Sequence, residues 1–194
     1  TCALPILALV LQVGLPAQSQ AQDAQPETTL TILTHDSFSV SEDVLAQFEA
    51  DSGITVEILR AGDAGQVVNQ AILTQGNPLA DVLFGVDNTF LSRALNADIF
   101  TAYASPNLDV IAEPFTQYID DENRVTPIDY GDVCLNYDIA YFEDNELEIP
   151  DSLMALTDPA YENLLVAMNP ATSSPGLAFM LATIAEFGTE GEYT

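Results

Sequence analysis

Leu30 to Phe38 reads Leu-Thr-Ile-Leu-Thr-His-Asp-Ser-Phe. Five strand formers, Leu30 to Thr34, run straight into the polar cluster His35, Asp36 and Ser37. A helical pattern follows. In an open α/β sheet, ligands bind outside the carboxyl ends of the strands. A strand ending in His-Asp-Ser therefore places three polar side chains at that rim.

The pattern then repeats. Ser39-Val40-Ser41-Glu42 fits a capping box, with Val44, Leu45, Phe48 and Ala50 on one apolar face and Gly53 as a stop. Ile54, Val56 and Ile58 alternate with polar residues and predict a second strand. Asp63 can cap a second helix whose face is Val67, Val68, Ala71 and Ile72, ended by Gly76-Asn77-Pro78. Ala80 to Val86 is an apolar run around Asp81 that suits a parallel strand covered on both faces. Asp87-Asn88 caps a third helix, Thr89 to Leu95. A β-α-β-α-β-α order implies a parallel sheet with right-handed crossovers. The fold class is α/β.

Ala97 to Arg124 is less regular, with Pro106 and Pro114 at turns and an acidic loop, Asp120 to Asn123, expected to be solvated. Val125 to Tyr137 predicts a long strand with Gly131 in its middle. Asp151 to Leu156 predicts a short helix, and Leu164 to Met168 another strand. After the small-residue loop Asn169 to Gly176, a helix is expected over about Leu177 to Phe187.

Thr1 to Ala21 reads as a secretory leader lacking its positive start. Ala3 to Val13 is almost wholly apolar, shorter than the about 20 residues of a membrane span, and followed by the small-residue site Ser19-Gln20-Ala21. Gln22 to Thr29 is a polar linker. Cys2 lies at the edge of the leader, and Cys134, in an apolar pattern, is expected to be a buried small hydrophobe. The chain begins at Thr1 rather than Met, and Thr189 to Thr194 continue a helical pattern with no closing strand, as in a fragment of a longer protein. The expected divisions are leader 1–21, linker 22–29, a first α/β lobe 30–129, and 130–194 as a crossing strand and the start of an incomplete second lobe.

The charge balance bounds the partners. Thirty Asp and Glu face three basic residues, giving a net charge of −27 over 194 residues. A phosphate backbone is repelled by such a field, which excludes nucleic acid as a natural partner. An organic cation is attracted. Asp36 and Asp87 follow the first and third strands; if those strands are neighbours, both carboxylates face one crevice. Phe38, Phe90 and Tyr130 offer aromatic faces, each worth about 0.5–2 kcal/mol to a cation. On the sequence alone Asp36 also reads as only a turn residue and Asp87 as only a helix cap, for which Asp is a preferred residue. Ser173-Ser174-Pro175-Gly176 opens a helix, where backbone N–H groups and hydroxyls suit an anion; a plain cap reads the same way. His35, Asp36 and Ser37 hold the residue types of a hydrolytic triad, but adjacency in sequence is no evidence of triad geometry. No His/Cys cluster has zinc spacing, and Gly62-Asp63-Ala64-Gly65 lacks the Gly-Lys-Ser/Thr that closes a P-loop.

Four stretches together carry a family likeness: Thr34-His-Asp-Ser-Phe38, Ala80-Asp-Val-Leu-Phe-Gly-Val-Asp-Asn88, Pro127-Ile-Asp-Tyr-Gly131 and Ser173-Ser-Pro-Gly-Leu177. In this order and spacing the chain resembles the periplasmic thiamine-binding proteins of ABC importers. The resemblance covers Leu30 to Gly188. It implies the type II periplasmic-binding-protein fold, two lobes with mixed, mainly parallel sheets, the second truncated here. It implies a ligand cleft with His35, Asp36, Ser37, Asp87, Asn88 and Tyr130, and a phosphate-facing loop with Ser173, Ser174 and Gly176. Thiamine, thiamine monophosphate or thiamine diphosphate would be the transported ligand, with no cofactor, no metal and no catalysis. The partner would be an ABC permease at the inner membrane, the location periplasmic and the protein a monomer. Where the family usually has an aromatic, this chain has His35, and it contains no Trp for the family's cleft. Ferric iron or a polyamine on the same fold is the nearest alternative. A secreted hydrolase is a further one, and would depend on His35, the single histidine.

Overall fold

The computed structural model describes residues 28–188. The leader, Cys2, most of the linker and the last six residues lie outside the described residues. Three parallel strands form the sheet: β1 (Thr28–Thr34), β2 (Ile54–Arg60) and β3 (Val82–Leu83), in the order β2-β1-β3. β1 pairs with β2 along its whole length, from Thr28 opposite Ile54 to Thr34 opposite Arg60. The expected parallel sheet is therefore present, and the first and third strands are neighbours.

The helices connecting them are α1 (Glu42–Ser52), α2 (Ala64–Leu73) and α3 (Leu91–Asn96). α1 starts later than its sequence pattern predicts. Ser41, not Ser39, is the N-cap, and its side chain makes no capping bond. Glu42 is then the first helical residue and cannot reach back as the third residue of a capping box does. Gly53 ends α1 in the left-handed region (φ 69°), where its N–H donates to the Glu49 carbonyl. The box forms instead at α2. The Asp63 carboxylate accepts from the first turn, and the Gln66 side chain accepts from the Asp63 N–H at 2.8 Å.

β3 is shorter than the predicted 80–86. Hydrogen bonds from Asp81 N–H to the Thr31 carbonyl and from Phe84 N–H to the Leu33 carbonyl extend the pairing on both sides. Gly85 then turns the chain away at φ 103°. The core lies between α2 and α3: Ala64, Val68, Phe90 and Ala94 are buried, with Ile72, Val86, Ile99, Phe100 and Leu177 packed against them. Full burial of an aromatic or aliphatic side chain contributes about 1.5–3 kcal/mol, so Phe90 and the two α2 valines, Val67 and Val68, anchor this layer.

From residue 97 onward the chain is mostly turns. Short 3-10 turns occupy Leu108–Val110 and Glu113–Tyr118. The acidic loop is not simply solvated. Asp120 pairs with the Arg124 guanidinium at 2.7 Å and also accepts the backbone N–H groups of Arg124 and Val125. Burial works to raise the Asp120 carboxyl, but the Arg124 side chain and these two N–H groups outweigh it and hold it below the usual carboxylate range.

Three expectations fail here. Residues 125–137 and 164–168 are not strands, and Asp151 to Leu156 is not a helix; 3-10 turns at Ala155–Thr157 and Pro159–Tyr161 occupy that region. A strand exists only where a neighbour takes its N–H and C=O groups. Among the described residues neither extended run has such a neighbour, and Tyr130, Val133, Leu135 and Val166 are exposed. Cys134 shares this exposure and is not the expected buried hydrophobe. A short helix that the sequence pattern did not suggest, α4 (Ile139–Asp144), follows, capped by Asp138 accepting from Tyr141 N–H. α5 (Ser174–Phe187) ends the described chain and starts three residues earlier than expected. No described helix is long and apolar enough to cross a membrane.

Candidate functional site

The carboxyl ends of β1 and β2 continue their pairing beyond the strands. Ala61 N–H donates to the Thr34 carbonyl at 3.0 Å and Asp36 N–H to the Gly62 carbonyl at 2.8 Å. Gly62 N–H returns a bond to Asp36 Oδ1 at 3.1 Å. This fixes the Asp36 carboxylate at the rim, with its second oxygen unbonded among the described residues. Phe38 N–H closes the turn onto the His35 carbonyl at 3.1 Å. The His35 ring lies against Gly85, where an added Cβ would collide with it.

α5 reaches the same rim. Asn169 Oδ1 accepts from Ala171 N–H at 2.9 Å, and the Asn169 carbonyl accepts from Ser173 N–H, folding the loop that delivers the helix. Gly65 N–H, in the first turn of α2, donates to the Thr172 carbonyl at 2.9 Å. The amino ends of α2 and α5 are thus bonded side by side. Gly65 and Gly176 permit this approach. A Cβ on Gly65 would lie 2.9 Å from Phe90 Cζ and the Thr172 carbonyl, and one on Gly176 would lie 2.5 Å from the Met168 carbonyl. Ser173 is 2% exposed and caps α5 through a long 3.4 Å bond from Gly176 N–H, while Ser174 Oγ is buried with no partner among the described residues.

Between these parts lies an open cavity of about 370 Å³, lined by His35, Asp36, Ser37, Gly62, Asp63, Gln66, Met168, Ser173 and Pro175. Among the described residues its wall has two carboxylates and no Lys or Arg. The two carboxylates favour a positive group, and the helix ends favour a negative one. A zwitterion or a cation with an anionic tail satisfies both. A second cavity of about 440 Å³ lies against the middle of the sheet, at Thr31, Glu57, Ile58, Leu59 and Leu79, away from the strand ends. No group of three His, Cys, Asp or Glu among the described residues could hold a metal ion.

The structure brings together His35, Asp36, Ser37 and Ser173, with Ser174 and Gly176 just behind them in α5. It does not bring Asp87 to the cavity wall. Asp87 Oδ1 accepts from Thr89 N–H, Thr89 Oγ1 and Phe90 N–H, which holds the turn before α3. It does not cap the helix as expected, because α3 begins only at Leu91 with Phe90 as its N-cap. Asn88 also lies outside the wall. Tyr130 stacks on Phe115 with ring centroids 4.8 Å apart and is 74% exposed. The second carboxylate of the cavity is Asp63, which sequence reasoning read only as a cap. The available signal was position: Asp63 follows β2 as Asp36 follows β1, so both stand at one rim. Gln66 and Met168 were also missed.

This architecture has counterparts among known proteins. The family model for bacterial extracellular solute-binding proteins matches residues 77–193, more than half of the chain. The chain belongs to this family. This solute-binding protein is 27% identical over 165 residues to the thiamine-binding periplasmic protein of Salmonella typhimurium, covering 83% of this chain and 48% of that protein. It thus spans about half the length of the curated relatives it matches. Its fold is similar to that of the periplasmic binding protein P5PA, with a TM-score of 0.67 at 19% identity, over 84% of this chain and 52% of the other. A solved periplasmic thiamin binding protein gives 0.63 at 22% identity, over 84% and 50%. The α/β solute-binding fold expected from the sequence is the fold of this chain, in part.

Proposed function

We propose that this solute-binding protein captures thiamine or a thiamine phosphate outside the cytoplasm and presents it to an ABC permease, without catalysing a reaction. The observation that carries this reading is the cavity wall, where two carboxylates without basic neighbours stand beside the joined amino ends of two helices. The Asp36 and Asp63 carboxylates suit the thiazolium and aminopyrimidine groups. Ser173, Ser174 and Gly176 at the start of α5 suit a phosphate, as helix ends do generally. His35 and Ser37 border the same space and contact the ligand. Asp87, Asn88 and Tyr130 do not line this cavity, and Asp87 holds the turn before α3. The likeness to thiamine-binding periplasmic proteins supports the same ligand and a periplasmic location. The ligand is cargo, no cofactor is needed, and the protein works as a monomer.

Calorimetric titration with thiamine, thiamine monophosphate and thiamine diphosphate tests the proposal. The expected result is one-to-one binding that weakens on Asp36→Asn. No heat from any of the three in folded protein overturns it, and heat from ferric citrate or spermidine instead would reassign the cargo.

A further inference from the structure

We propose that Gln66 contacts the ligand directly and selects for a phosphoryl group, a role that rests on the binding reading above. Its orientation is dictated by the capping box. Asp63 N–H can donate only to an oxygen, so the Gln66 side chain must turn Oε1 toward it, at 2.8 Å. The side-chain –NH₂ then points away from Asp63. It makes no hydrogen bond among the described residues, although Gln66 lines the cavity. Oε1 is further confined by Gly62, where an added Cβ would strike the Gln66 amide. Two N–H donors are thus left without a partner, among the described residues, on a side chain that lines the cavity with Asp36 and Ser173. The cavity wall supplies carboxylate acceptors at Asp36 and Asp63, and a fixed double donor is what an anionic oxygen needs among them. A thiamine without phosphate offers no such oxygen, so Gln66 separates the phosphorylated ligand from the free one.

Gln66→Glu isolates the role. Glutamate keeps an oxygen for Asp63 N–H and serves equally at this capping position, so helix α2 keeps its cap. The –NH₂ is replaced by a negatively charged acceptor. The expected result is that the Kd of thiamine monophosphate, relative to that of thiamine, rises about tenfold or more, as for loss of a hydrogen bond to a charged group. An unchanged ratio overturns the proposal, including one in which both affinities fall together. Titration of the ¹⁵N-labelled wild-type protein with inorganic phosphate provides a readout independent of thiamine. Movement of the Gln66 side-chain amide signals supports the contact, and their immobility overturns it. If neither thiamine form binds, the cargo assignment fails by itself and the phosphate titration still decides Gln66.

Discussion

Gly65→Ala sets two rules against each other. Gly65 is the second residue of α2, where alanine is normally the better helix former by about 0.5–1 kcal/mol. The added methyl, however, would sit 2.9 Å from Phe90 Cζ, 2.9 Å from the Thr172 carbonyl and 3.0 Å from the Ala171 carbonyl. Phe90 is 1% exposed and cannot swing away, and the other two atoms are backbone. Overpacking of this kind costs about 1–3 kcal/mol. At mid-range values, about 2 kcal/mol of overpacking less about 0.75 kcal/mol of propensity leaves a net loss of about 1.25 kcal/mol. With a urea slope of about 2 kcal/mol per molar, the midpoint should fall by roughly 0.6 M. Circular dichroism is the suitable probe, because the chain has no Trp. Gly76→Ala is the control: nothing lies within 4 Å of its added Cβ, and its midpoint should stay or rise. Gly65→Ala matching the control would refute the argument. It would mean that the α2–α5 junction yields to a methyl without cost, and that the two helix ends are not held together as described.

Asp63 can be tested for its two roles separately. Asp63→Asn keeps a good cap and should leave the melting temperature nearly unchanged while weakening binding of a cationic ligand, whereas Asp63→Ala should cost about 0.5–2 kcal/mol as well. Asp120 predicts a pH signature. Its carboxyl is depressed in the folded protein, so its contribution is present above the unfolded carboxyl value of about 3.9 and is lost as pH falls through the folded value. The stability gap between wild type and Asp120→Asn, measured by urea unfolding, should be open at pH 7 and close on acidification below about pH 4. An equal gap throughout would show that the charge is irrelevant. Cys134 should react with a maleimide in the native protein as fast as in urea, read by mass spectrometry of its peptide; strong native protection would contradict its exposure.

The first half of the fold was legible because its signals are local and agree. β1 and β2 carry alternation or strand formers, α2 carries a cap, and Gly53 sits where a helix must stop. The two strand failures share one cause. Val125 to Tyr137 and Leu164 to Met168 carry strand composition, but pairing is not a local property, and no described neighbour supplies it. The same reasoning misjudged Cys134, whose burial was inferred from the composition of its own segment. At the site, residue types were legible and directions were not. Asp36 and Asp87 both follow strands, yet Asp87 turns back to hold its own turn and Asp63 takes its place at the wall. Asp63 is a cap by its hydrogen bonds and stands at the cavity wall all the same; which carboxylate faces the cavity is decided by the fold.

The bond from Gly65 N–H to the Thr172 carbonyl joins residues more than a hundred positions apart. The cavity therefore has no existence in any short piece of the chain. His35 and Asp36 are made early in synthesis, but the wall opposite them arrives only with Ser173. Closing so long a loop costs little more than closing one half its length, because the penalty grows only with the logarithm. Few contacts hold the closure afterwards, and a ligand seated across it acts as one more. Binding then adds RT ln(1 + [L]/Kd) to the closed form, so ligand binding and late folding are thermodynamically linked. Limited proteolysis between residues 125 and 168 should slow when ligand is present, because occupancy of the cavity depends on the last segment staying in place.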